Sequence, residues 1–233
     1  MPEHSRERFG TYWGVILAPP PILLGSALLA AALPASAPAP APTARTYRVD
    51  AAHSQIVVHV GRAGLFKFAG HEHEVVTSAI EGEVVANGED LTASRVSLRF
   101  PTARLRVSGR GEPAEDVPKV QSRMEGPEVL DIGRFPEATY TSRRVQGRAT
   151  AAGRFALTIE GDFTLRAITR KLELPVEVSV EGDVLTATGK AVLRHDDFGM
   201  TPISVAGVVK VKNEIDVEIR IVAVAQVSAE PAR

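Results

Sequence analysis

The segment GHEHEV, residues 70–75, puts two histidines and two glutamates into six positions. His71 and His73 are separated by one residue, so on a β-strand both imidazoles leave the same face. Such a pair can hold a metal ion or, beside a carboxylate, move protons. A metal site needs further ligands, and His53, His195, Asp196 and Asp197 are the donors on offer. Nothing in the sequence brings them to the pair. Asp196 and Asp197 are adjacent, so a strand would send them to opposite faces and deny them a shared acid–base role. His53 in DAAHS reads as fixing the start of a strand, and His195 in RHDDFG as structural. No G-x-S-x-G motif supports acyl transfer, and no Gly-rich loop could cradle phosphate. With no cysteine, thiolate nucleophiles, disulfides and cysteine metal sites are excluded. The balance favours a binding protein with no catalytic residue. The alternative is a metal-binding, hydrolytic or redox protein that uses His71 and His73.

The bulk numbers point the same way. A net charge of -1 over 233 residues, without a basic block, gives no electrostatic reason to expect nucleic acid. Arg6 and Arg8 precede the apolar run ILLGSALLAAAL (22–33), which ends in PASA. That pattern predicts an export signal over residues 1–37 with cleavage after Ala37. A membrane span would have to include Pro19, Pro20 and Pro21. Residues 38–46 read as a Pro/Ala-rich linker, 47–224 as the folded domain and 225–233 as a tail. The destination predicted is the periplasm or another exported location.

Something must position these side chains, and the period of the domain is two. In LELPVEVSV (172–180), Leu172, Leu174, Val176, Val178 and Val180 share one face. IDVEIRI (215–221), FALTI (155–159) and SQIVVHV (54–60) alternate likewise. Strict alternation means antiparallel strands with one buried face. Turn signals fall at 86–90, 145–154 and Gly182–Asp183, giving about eight strands. Val117, Val120 and Met124 are spaced for a short helix within 112–131, broken near Gly126–Pro127. So many one-sided strands close most simply into an up-and-down barrel, with a two-sheet sandwich as the rival.

Three stretches resemble the YceI-like family of periplasmic lipid-binding proteins. They are YRVDAAHSQIVVHVGRAGLFKFAGHEHEV (47–75), EVLDIGRFPEATYTS (128–142) and GDFTLRAITRKLELPVEV (161–178), the last followed by RHDDFGM (194–200). The sequence departs from the family at Arg62, where a histidine is frequent, and at EDVPKVQSRM (115–124). The resemblance implies an all-β fold, a lipocalin-like eight-stranded antiparallel barrel with a short helix capping one end. It also implies an apolar interior that holds a long isoprenoid or prenyl-quinone chain, for carriage or sequestration. Inward parity and the positions of the phenylalanines nominate Val58, Phe66, Phe68, Phe100, Phe155, Leu157, Leu174, Val176, Val178 and Phe198 as ligand contacts. Parity alone fits a packed core as well as a cavity, and the resemblance implies the cavity. The expected partners are the apolar lipid and, transiently, a membrane. No cofactor is expected beyond that lipid, and a homodimer is left open.

Overall fold

The computed structural model describes residues 44–63, 73–111, 113–201, 204–205 and 209–226. Among them the chain forms β1 (Arg45–Val49), β2 (Gln55–Ala63), β3 (His73–Thr77), β4 (Glu81–Ala86), β5 (Arg95–Pro101) and β6 (Arg106–Val107). The helix α1 (Val117–Glu125) comes next. There follow β7 (Glu137–Ala151), β8 (Arg154–Leu165), β9 (Ile168–Glu181), β10 (Val184–Arg194), β11 (Ser204–Val205) and β12 (Val209–Ala225).

These strands make a closed, eight-stranded antiparallel barrel. Its first three staves are kinked pairs, β1/β2, β3/β4 and β5/β6, and β7, β8, β9, β10 and β12 complete the circle. Closure comes from the long β12, which pairs with β10 on one side and with both β1 and β2 on the other. At the kink between β1 and β2 the buried Ser54 stands in for the missing backbone pair. Its hydroxyl donates to the Val222 carbonyl and accepts from the Val222 amide. Asp50 accepts from the Ala52 amide and holds His53 Nδ1 at 2.7 Å, within the turn that leads into β2.

The alternation holds. Leu174 and Val176 are buried while Glu173, Pro175 and Glu177 are exposed, and Ile215, Val217 and Ile221 face inward against Asp216, Glu218 and Arg220. The hairpin expected at Gly182–Asp183 is present, with Gly182 at φ +60°. The broad turn expected over 145–154 is corrected: β7 runs to Ala151, and only Ala152 and Gly153 turn. Its Gly, Ala and Arg residues look loop-like, but the ladder to β8 continues past a bulge near Arg143.

One end of the barrel is capped. Val117, Val120 and Met124 of α1 pack on the core, and the helix stops at Gly126 as expected. Gln121 completes the short edge of β6, because its Oε1 accepts from the Val107 amide at 2.8 Å and its Nε2 donates to the Leu105 carbonyl at 3.0 Å. The segment after the helix tucks Val129 and Leu130 into the barrel's end. Arg166, in the β8–β9 turn, donates to the carbonyls of Pro127, Glu128 and Val129 and so straps that segment down.

Candidate ligand-binding cavity

The barrel interior is not filled. At the end away from α1 lies a cavity of about 370 Å³, walled by Tyr47, Val84, Val96, Val145, Phe155, Leu157, Val176 and Val178 among others. Towards α1 lies a second, of about 170 Å³, walled by Val58, Val60, Phe100, Phe163, Leu172, Leu193 and Met124 among others. Leu98, Tyr140, Leu174 and Ile219 line both and form the waist between them. The larger void lies within the range of small-molecule sites, about 300–1,000 Å³.

The space has a local cause. The inward positions of β10 are Leu185, Ala187, Gly189, Ala191 and Leu193, so three consecutive inward residues carry almost no side chain. On β8 the inward Gly161 leaves room for the ring of Tyr140, whose Cζ lies 2.6 Å from where a glycine-replacing Cβ would stand. The Tyr140 hydroxyl donates to the Ile159 carbonyl at 3.0 Å, and burial pushes its pKa well up, so it stays neutral.

Polar groups gather at the end of the larger cavity. Arg45 donates to the Gly182 carbonyl and pairs with Asp183, and that hydrogen bond raises its pKa further. Asn87 and Ser94 sit in the β4–β5 connection. The Ser94 hydroxyl accepts from the Asn87 amide at 3.0 Å, and Asn87 Oδ1 accepts from the amides of Glu89 and Asp90. These bonds fix the connection, and Gly88 brings it beside the Phe155 ring. In the smaller cavity the polar presence is His195, 6% exposed, with Nδ1 donating to the Asn213 carbonyl.

Of the residues nominated from sequence, Phe155, Leu157, Val176 and Val178 line the larger cavity, Val58 and Phe100 the smaller, and Leu174 both. Phe198 is placed differently. It lies in neither wall and packs edge to face on Phe163 with ring centroids 5.4 Å apart, so it is core. Phe66, Phe68 and His71 lie outside the described residues. His73 is half-buried in β3, and among the described residues no three His, Asp or Glu side chains converge as a metal site would need. Sequence reading missed Tyr140, Val145, Ile219 and Ile221. Inward parity in TYTS and IDVEIRI would have found Tyr140, Ile219 and Ile221, and the bulge before Val145 hides that residue.

Among the described residues no helix is long and apolar enough to cross a membrane. No curated protein matches the sequence. Among solved structures the fold is similar to BcnA of Burkholderia cenocepacia, with a TM-score of 0.59 at 15% identity over 75% of this chain and 98% of that one. It is similar too to a polyisoprenoid binding domain from Saccharophagus degradans implicated in plant cell wall breakdown, with a TM-score of 0.56 at 10% identity over 77% and 98%. The sequence itself matches the YceI-like domain over residues 47–223, and the chain belongs to that family.

Proposed function

We propose that this protein binds a long apolar lipid of the isoprenoid or prenyl-quinone type within its barrel and carries or sequesters it outside the cytoplasm, without catalysing a reaction. The observation that carries the reading is the pair of cavities that meet at the shared residues Leu98, Tyr140, Leu174 and Ile219 and are walled almost wholly by hydrocarbon. A long, thin, apolar molecule is the shape that fits two chambers in line. Burying its surface contributes roughly 25 cal/mol per Å² without any specific polar contact. A head group at the end away from α1 would meet Arg45, Asn87 and Ser94. The polyisoprenoid-binding description of the Saccharophagus degradans relative supports the chemical class. Export rests on the apolar N-terminal segment that ends in PASA.

The test is to extract purified protein with organic solvent and identify the lipid by mass spectrometry. Val176→Trp puts an indole into the larger cavity and should lower lipid content while the barrel still folds. Protein that carries no lipid, and takes up no prenyl quinone from vesicles, removes the reading.

A further inference from the structure

The barrel is closed unevenly. The β8–β9 ladder runs the full length from Arg154↔Ser179 to Leu165↔Ile168, and β10–β12 runs from Val184↔Val224 to Arg194↔Glu214. Between them, β9 and β10 pair only from Val184↔Glu181 to Gly189↔Val176. Both strands continue towards the helix-capped end, β9 back to Ile168 and β10 on to Arg194, without pairing to each other.

The break has a chemical cause. In an antiparallel ladder every second residue turns its backbone groups to a given neighbour. Counting back from the hairpin-closing pair Glu181↔Val184, the residues of β9 that face β10 are Ser179, Glu177 and then Pro175. Proline has no N–H to give, so the ladder loses its next rung there. The Pro175 carbonyl does point at β10, lying 2.7 Å from where a Cβ on Gly189 would stand.

The unpaired stretch coincides with the smaller cavity. Leu172 and Leu174 form its wall on one lip, and Ala191 and Leu193 on the other. Outside, a groove starts at the break, beside Pro175 and Lys190, and extends over the paired part of the two strands at Glu177 and Thr188. Val192, on the outer side of the β10 lip, is 58% exposed, the most of any large apolar side chain among the described residues.

We propose that this seam between β9 and β10 is the lateral portal through which the apolar ligand enters and leaves the barrel, hinged where Pro175 meets Gly189. The proposal rests on the cavity being a ligand site and goes beyond it by fixing the route. It accounts for the proline, the small inward residues of β10 and the exposed Val192 together. The end of the barrel beside Arg45 and Gly88 would then hold a head group without having to admit the chain.

The protein has no cysteine, so introduced thiols are unique handles. Glu173→Cys with Val192→Cys places two outward thiols across the seam, to be joined by a short bismaleimide. Gly88→Cys with Arg154→Cys, exposed and next in the chain to the Phe155 ring that Gly88 approaches, does so at the opposite end without entering the cavity, and each variant serves as its own reference before and after joining. Uptake of N-phenyl-1-naphthylamine, which needs only an apolar cavity, is followed by stopped-flow fluorescence, and prenyl-quinone uptake from vesicles is measured separately. Joining the seam should slow dye uptake roughly tenfold while final occupancy is kept. Pro175→Thr, which restores the N–H, should slow it in the same direction. If dye uptake is unchanged by joining the seam, or is slowed only by joining the Gly88 end, the portal is refuted. Seam-dependent dye uptake without prenyl-quinone uptake would uphold the portal and sink the isoprenoid reading.

Discussion

His195 shows how the fold reassigns a residue that looks chemical in the sequence. In RHDDFG it sits among acids, yet the structure buries it against the smaller cavity with its Nδ1 on the Asn213 carbonyl. Asp196 meanwhile turns outward and pairs with Arg194. Burial disfavours the imidazolium and lowers the His195 pKa below its ordinary 6.5. Above that value neither the folded nor the unfolded chain is protonated here, and the contribution to stability is intact. As the pH falls below 6.5 the unfolded chain takes up a proton that the folded one refuses, so stability drops until the lower folded value is passed. His195→Gln keeps a donor for the Asn213 carbonyl and removes the titration. Thermal melts between pH 7 and 5 should therefore fall less steeply for the variant. Equal slopes would put the acid sensitivity elsewhere. The carboxylates on the barrel's outside have exposed partners, as in Lys190–Glu218 and Arg99–Glu137. Exposed pairs of this kind contribute about 0–1 kcal/mol each.

At the scale of elements, the alternating runs and the helix positions Val117, Val120 and Met124 were legible because strand and helix periods are properties of neighbouring residues. Where a ladder stops was not, since that depends on a partner strand, although Pro175 marked one such place. The β8–β9 turn is a second case. Arg166 and Ala167 make a two-residue hairpin with both residues at positive φ, +52° and +58°, and neither is glycine. Each is strained by about 1–2 kcal/mol relative to a residue free to adopt that region. Arg166 is compensated by its hold on the Pro127, Glu128 and Val129 carbonyls, whereas Ala167 has no comparable return. Ala167→Gly relieves the strain at some cost in chain entropy, for a net stabilisation of about 0.5–1 kcal/mol. Urea denaturation should show a higher midpoint at unchanged slope. A lower midpoint would mean that the turn is not strained at this residue.

For the molecule as a whole, the one-sided strands narrowed the fold to a closed barrel or a two-sheet sandwich and the family resemblance chose the barrel, but its emptiness was not legible in the strands. A cavity is a deficit of volume summed around the lumen, and no single strand records it. The nearest local signal is the inward series Leu185, Ala187, Gly189, Ala191 and Leu193, where alternation is kept and bulk is not. This gives a test of cavity against packed core that needs no ligand. Ala187 lines the larger cavity. If the interior were packed to ordinary density, Ala187→Leu would force its neighbours apart and destabilise by about 1–3 kcal/mol. In an open lumen the added methyl groups meet space and gain burial, so stability should hold or rise by about 1 kcal/mol. The same leucine occupies volume that a lipid chain would need, so lipid recovered by extraction should fall. Stability and occupancy therefore move in opposite directions only if the space is real and is used. A variant that both melts early and keeps its lipid would mean that Ala187 belongs to a packed wall and that the chain runs elsewhere.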